Sequence, residues 1–335
     1  MTAWRDRLST QDRERIEERT HPDWMAPMLA TLTDDRFSDP GWIFERKLDG
    51  ERALCFRDGD SIRLLTRNRK DIGETYPEIV DALAGQACRD FVIDGEIVAF
   101  RNGRTSFSRL QQRMGIRDAP EARESSVAVY FYLFDILHLD GYSLDDLALR
   151  TRKSLLRQVL RFEDPLRYTP HRNGDGEAFF EEACSRGWEG LIAKNAAGGY
   201  RHSRSRDWLK FKCDHRQELV IGGFTAPKGS RKGFGALLVG YYEEGKLRYA
   251  GKVGTGFDEA FLTDFRRRLE AMTRKTPPFD EPVDEDDATF VTPDIVGEFG
   301  FTEWTRDGRL RHPRFLGLRR DKEAGDVVRE TPDGS

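Results

Sequence analysis

The chain changes its pattern once, and the position of that change constrains the fold more than any other feature. Between about Trp42 and Lys212, strand-like apolar runs at 62–66, 91–100, 127–137 and 190–194 alternate with helix-like stretches at 76–83, 151–160 and 176–186. This mixture suits an α+β domain built on antiparallel sheets. The polar stretch Cys213-Asp214-His215-Arg216 then separates two strand signals and predicts a hinge. Beyond Glu218 the strands are short and broken by glycine, at 219–225, 236–242 and 246–253. One amphipathic helix follows at 258–272, with Phe261, Leu262, Phe265, Leu269 and Met272 on one face. Short strands with an interposed helix fit a small Greek-key barrel, although periodicity does not separate one such barrel from another. The expected organisation is an N-terminal extension at 1–22, a first domain at 23–214 and a second at 215–330.

Bulk properties agree with this division. At 335 residues and 38% hydrophobic content the chain can build two packed cores. No run reaches the ~20 apolar residues that cross a bilayer. The first twenty residues alternate charges, among them Arg5, Asp6, Arg7, Glu14, Arg15, Glu17 and Glu18, without the apolar centre of a secretory signal. They read as a solvated helix. Cys55, Cys88, Cys184 and Cys213 lack the close pairing of a cysteine zinc site and read as core or near-surface thiols, which fits a reducing cytoplasm.

The net charge of −4 argues against a nucleic-acid partner, but its distribution answers part of the objection. Arg63, Arg67, Arg69 and Lys70 form one basic cluster, and Arg201, Arg204, Arg206, Lys210 and Lys212 another. A third, between residues 226 and 275, includes Lys228, Arg231 and Lys232, while the acidic excess collects at 280–287. Such runs also occur as plain solvated faces. Phosphate contacts need only local positive potential.

Chemistry concentrates around Lys47, in Glu45-Arg46-Lys47-Leu48-Asp49-Gly50-Glu51-Arg52. Alone, this segment reads equally as an exposed strand leading to an Asp-Gly turn. Further patterns accompany it: Thr66-Arg67-Asn68, Asp94-Gly95-Glu96, Phe134-Asp135, the run from Glu189 to Lys194, the run from Arg204 to Lys212, and the run from Arg311 to Lys322. In order and rough spacing these resemble the motifs of the ATP-dependent DNA ligases, within the covalent nucleotidyltransferases, from about Ala26 to about Arg329. The closest flavour is the ligase module of bacterial ligase D.

The resemblance implies a nucleotidyltransferase (adenylation) domain followed by an OB-fold barrel, and an enzyme that seals 5′-phosphate/3′-hydroxyl nicks or ends in duplex DNA. Lys47 would attack the α-phosphate of ATP and carry AMP. Because a lysine amine near its ordinary pKa of ~10.4 is almost wholly protonated, the site is expected to depress it, through Lys194, Lys210, Lys212, Arg52 and a divalent ion. By resemblance, Glu45 reads the adenine amino group, Arg52 and Glu96 meet the ribose, and Phe134 stacks on the base. Arg67 and Arg204 meet adenylate or DNA phosphates. Lys210 and Lys212 hold the α-phosphate, with Lys194 close by. Glu189 and Glu96 supply oxygen ligands to Mg²⁺ or Mn²⁺. Arg319, Asp321 and Lys322 orient the leaving pyrophosphate, although Gly317 departs from an arginine found in some relatives. Lys228, Arg231 and Lys232 are further candidate DNA contacts.

Several of these residues also have plainer readings. Phe134 and Trp208 suit a core, Asp94-Gly95 suits a hairpin turn, and His202 suits a surface position or phosphate contact. Alternative functions are an RNA ligase or GTP-dependent capping guanylyltransferase, disfavoured by Glu45, and a non-catalytic DNA-end binding module. The resemblance further implies a monomer associated with the nucleoid, no membrane, and a role in break repair with Ku and separate end-processing polymerase or nuclease partners.

Overall fold

A computed structural model describes residues 4–227, 229 and 232–330. The chain divides between Cys213 and Asp214 into two compact units, the second running to Thr331.

In the first unit, two antiparallel-dominated sheets carry the mixed pattern. The larger has as its central strands Val129–Leu139, Asp90–Arg101, Glu51–Asp58 and Ser61–Thr66, in that order. Its alternation buries Ala53, Cys55, Ile93 and Ile97 on one side against Ile79 of helix Pro77–Ala84, Leu110 of helix Phe107–Met114 and Leu155 of helix Leu149–Val159. The smaller sheet has the order His171–Asn173, Trp42–Arg46, Gly190–Asn195, Arg204–Lys212, Leu29–Leu32. Phe44, Leu191, Ala193, Leu209 and Phe211 pack its outer side onto helix Gly176–Ser185 through Phe179, Phe180 and Ala183. Its inner side joins Trp208 to Leu54, Phe56, Val92 and Phe134 of the larger sheet in a separate cluster.

Two expectations are corrected here. The N-terminal segment is not a solvated helix: Trp4 and Leu8, each 7% exposed, belong to the main core, and the following helix spans only Thr10–Arg13. These apolar residues are few and set among many charges, which is why the charges dominate the sequence pattern of the segment. Nor are all four cysteines thiols, because Cys184 and Cys213 are joined by a disulfide across a sequence separation of 29. Cys55 and Cys88 are free.

The second unit is a six-stranded antiparallel sheet in which His215–Thr225 and Ala288–Phe301 are the central pair. Leu237–Glu243 and Lys246–Val253 extend one side, and Arg314–Arg319 pairs with Ala288–Phe301 on the other. Helix Glu259–Glu270 is capped by Asp258, whose carboxylate accepts from Phe261 N at 2.7 Å, and it buries Leu262, Phe265 and Leu269. His215 and Arg216, expected in the hinge, are the first residues of a strand. Ala288–Phe301, the longest strand, has no clean apolar run in the sequence because Pro293, Asp294, Gly297 and Glu298 interrupt it.

Candidate active site

Strand register assembles the site from the period of two. Glu45 lies opposite Ile192, which lies opposite Lys210; Ile43 lies opposite Lys194, which lies opposite Trp208. Gly190 lies opposite Lys212, and its carbonyl accepts from Lys47 N at 2.9 Å. Glu45, Lys47, Lys194, Lys210 and Lys212 therefore fall on one face, away from the Phe44 and Phe211 side. Gly190 is required by space and backbone: its φ is 147°, and a Cβ there would stand 1.9 Å from Phe211 O.

Lys47 Nζ stands 2.5 Å from Glu189 Oε1, with both side chains largely shielded from solvent. Burial works to lower the Lys47 pKa, but the Glu189 carboxylate outweighs it, and the net shift is upward. For the protein groups alone this runs against the sequence expectation, which also rested on a divalent ion. Lys212 does oppose protonation of Lys47, yet Glu189 and Glu96 act in the other direction. The arrangement holds the nucleophile as an ammonium with a carboxylate in contact.

The larger sheet contributes the facing groups. Arg52 lies opposite Glu96 in register. Its guanidinium forms a bidentate pair with Asp94, Nε to Oδ1 and Nη2 to Oδ2 both at 2.5 Å. Tyr200 donates to Asp94 Oδ2 at 2.6 Å and accepts from Met28 N at 2.8 Å. Asp94 and Gly95 are thus in the middle of a strand and not in a turn. Phe134 is 7% exposed and meets Trp208 edge-on, with centroids 6.0 Å apart. Lys194 Nζ is 4.1 Å from its ring centroid and the Arg52 guanidinium carbon 4.5 Å.

Glu45 is held by two cations. Its carboxylate is buried between Lys153 and Lys194, the latter at 2.6 Å. Burial tends to raise its pKa, but the two ammonium groups bring it below the usual carboxylate value. Burial conversely brings Lys194 down to about 8 against the attraction of Glu45.

Arg67 is half-buried just beyond strand Ser61–Thr66. Arg204 is exposed, and its Nη1 donates to Ala30 O at 2.5 Å. His202 contacts Ala26 O at 2.9 Å and Asp145 Oδ2 at 3.1 Å through its two ring nitrogens. In the second unit, Arg319 holds Asp321 by two bonds of 3.0 and 2.8 Å, and Lys322 Nζ is 3.4 Å from Glu218 Oε1. Lys232 is exposed and 3.8 Å from Glu259. Lys228 and Arg231 lie outside the described residues.

Sequence reasoning missed Asp94, Tyr200 and Lys153 as site-building residues. Asp94 carried a signal, since a carboxylate inside an apolar strand needs a partner. Lys153 carried none, because a lysine in an Arg-rich helix reads as solvated.

Residues 27–212 match the ATP dependent DNA ligase domain, and residues 230–322 match the ATP dependent DNA ligase C terminal region. The multifunctional non-homologous end joining protein LigD of Pseudomonas aeruginosa is 40% identical over 322 residues, covering 93% of this chain and 37% of that protein. The multifunctional non-homologous end joining DNA repair protein LigD of Mycobacterium tuberculosis is 38% identical over 333 residues, covering 97% of this chain and 42% of that protein. The chain thus spans about two fifths of the length of these relatives. Among solved structures, mycobacterial DNA ligase D complexed with ATP and MES superposes with a TM-score of 0.65 at 35% identity, covering 91% of this chain and 98% of that one.

Proposed function

The chain belongs to the ATP-dependent DNA ligase family, and we propose that it seals 5′-phosphate/3′-hydroxyl nicks or ends in duplex DNA through a lysyl-AMP on Lys47 and a DNA-adenylate. The observation that carries the reading is the contact of Lys47 Nζ with Glu189 Oε1 at 2.5 Å on a sheet face that also bears Lys210 and Lys212.

The ammonium of Lys47 gives up its proton to solvent, and the amine attacks the α-phosphate of ATP. An N–P bond forms and the bond to the β-phosphate oxygen breaks, releasing pyrophosphate. Lys210 and Lys212 stabilise charge on the α-phosphate as it grows. Arg52, anchored by Asp94, meets the ribose together with Glu96, and Phe134 supports the base. The AMP then passes to a DNA 5′-phosphate held by Arg67 and Arg204, and attack by the 3′-hydroxyl expels AMP and joins the strand. Arg319, Asp321 and Lys322 act in the first step at the pyrophosphate, with Lys232 among the DNA contacts. Glu189 and Glu96 fit a hard divalent cation, Mg²⁺ or Mn²⁺, because both are carboxylates whose charges act at Lys47. When bound, such an ion neutralises phosphate charge.

The names of its relatives, which are non-homologous end joining proteins, extend the same reading to DNA break repair; Ku, separate end-processing enzymes and a place at the nucleoid are part of the proposal on the sequence resemblance alone. No described helix is long and apolar enough to cross a membrane.

The test is incubation with α-labelled ATP or GTP, a divalent metal and, in parallel, Lys47→Ala. Denaturation-resistant label from ATP alone, absent in the variant and chased onto nicked DNA, supports the proposal. Label from GTP favours a capping-type enzyme. Absence of label from a preparation shown to be unadenylated favours a DNA-end binding module.

A further inference from the structure

Three segments distant in sequence bring metal-type donors together away from Lys47. His21 follows the short strand Glu17–Glu18, Asp90 begins strand Asp90–Arg101, and His138 lies near the end of strand Val129–Leu139. One ligand atom from each lies within 4.8 Å of the others. His21 Nδ1 is 2.8 Å from Asp90 Oδ1, and His138 Nε2 is 3.2 Å from the same oxygen.

The cluster is enclosed. The side chain of His138 is 2% exposed and that of His21 10%, while Asp90 at 29% remains open to solvent. The two imidazoles meet edge to face at 5.1 Å, and Phe56 closes one side of His21. Beyond its approach to Asp90, His138 Nε2 is buried without a hydrogen bond, and His21 Nε2 is likewise buried and unsatisfied. A buried nitrogen left unpaired is destabilising, so a cluster of this kind calls for an explanation.

We propose that His21, Asp90 and His138 form a binding site for one divalent transition ion of the zinc class, which clasps the N-terminal segment to the larger sheet. Two imidazoles and one carboxylate are the donor set that zinc-class ions accept, whereas Mg²⁺ and Ca²⁺ take oxygen donors. The exposed side of Asp90 leaves solvent to complete the coordination. Around the cluster, Asp140 N donates to Asp90 O at 2.9 Å, and the Cys88 thiol reaches Asp90 O at 3.6 Å and Asp140 Oδ1 at 3.7 Å, so the carboxylate-bearing residue is itself held. The site is structural: its ligands come from the ends of two central strands and from the N-terminal segment, and include none of the residues assigned to nucleotide chemistry.

The experiment uses the full chain, stripped with chelator and titrated with Co²⁺ as the spectroscopic probe, then with Zn²⁺. The expected result is a saturable visible band at one ion per chain, displaced by Zn²⁺, together with a rise in unfolding temperature. Loss of outer ligand partners alone weakens metal sites by about 10–100-fold, so His21→Gln and Asp90→Asn should each weaken Co²⁺ binding by at least about a hundredfold. Glu189→Gln should leave the band unchanged. His21 is on the peripheral segment, and circular dichroism of His21→Gln checks that the rest of the chain remains folded. Absence of a saturable band in the wild type, or an undiminished band in folded His21→Gln, overturns the proposal.

Discussion

The carboxylate of Glu45 is buried against the ammonium of Lys153, a residue 108 positions further along the chain. Lys194 occupies the other carboxylate oxygen at 2.6 Å, so one buried anion serves two buried cations. Removing a partner from a buried pair typically costs about 3–5 kcal/mol, because the remaining charge is uncompensated. Glu45→Gln leaves two ammonium groups without a counter-charge, whereas Lys153→Met leaves the pair Glu45 and Lys194 intact. Urea unfolding should therefore show a loss of about 3–5 kcal/mol for Glu45→Gln and a distinctly smaller one for Lys153→Met. The reverse order would show that Glu45 is not the charge on which the cluster depends.

Asp94 fixes Arg52 bidentately and also accepts from Tyr200, so the three act as one unit. Asp94→Asn should destabilise the protein by about 3–5 kcal/mol and slow lysyl-AMP formation, because Arg52 loses its anchor beside Phe134. Tyr200→Phe, which also leaves Met28 N unpaired, should cost about 1–3 kcal/mol. Combined, the two changes should cost less than their sum by about 0.5–3 kcal/mol. Strict additivity in a double-mutant cycle would separate Tyr200 from the Arg52 anchor.

These two clusters mark how far the sequence could be read. The sheets around Lys47 were legible because strand periodicity is local: the runs at 62–66, 91–100 and 190–194 sit inside observed strands. The motifs also marked Lys47 and Glu189, whose side chains meet at 2.5 Å. The partners of Glu45, Asp94 and Asp90 were not legible. Lys153 reaches Glu45 from a helix, Tyr200 reaches Asp94 from a loop, and His21 reaches Asp90 and His138 from the N-terminal segment, all through tertiary packing that leaves no periodic trace. The upward Lys47 shift was missed for a different reason: the motifs marked Glu189, but as a metal ligand and not as the charge that pairs with Lys47.

The bond between Cys184 and Cys213 fastens the end of helix Gly176–Ser185 to the residue after Lys212. Closing a loop of this length lowers unfolded-state entropy by the equivalent of about 3–4 kcal/mol on the chain-entropy account. Reductant should therefore lower the urea midpoint, and Cys184→Ser should lower it without any further response to reductant. Four titratable thiols in unfolded, unreduced protein would contradict the pairing.

His202 contacts acceptors through both ring nitrogens, a geometry that suits the doubly protonated imidazolium. Its bond to Asp145, more than the opposing burial, raises its pKa above the ordinary value. A base with a raised folded-state pKa contributes stability that is complete below its unfolded value of ~6.5 and is lost as pH rises through the folded value. The difference in unfolding temperature between wild type and His202→Gln should accordingly be larger near pH ~5.5 than near pH ~9. Comparing the two proteins removes contributions from the other histidines. A difference that is flat or grows with pH would show that His202 is neutral in the folded protein.

Arg319 is 11% exposed and is engaged by Asp321, with Glu298 at 3.7 Å and Glu218 at 3.9 Å. Burial favours the neutral form of Asp321, yet the Arg319 charge holds its carboxyl below the ordinary range. The pair thus belongs to the packing of the second unit, in addition to the pyrophosphate role proposed for it. These two roles separate kinetically. Asp321→Asn frees Arg319 from its bidentate hold and should slow lysyl-AMP formation by about 10-fold or more, since loss of orientation at a phosphoryl-transfer site is costly. Sealing of pre-adenylated nicked DNA by the same variant should stay within about 2- to 3-fold of wild type, because no pyrophosphate leaves in that step. Equal slowing of both steps, with a matching drop in the unfolding midpoint, would assign Asp321 to packing alone.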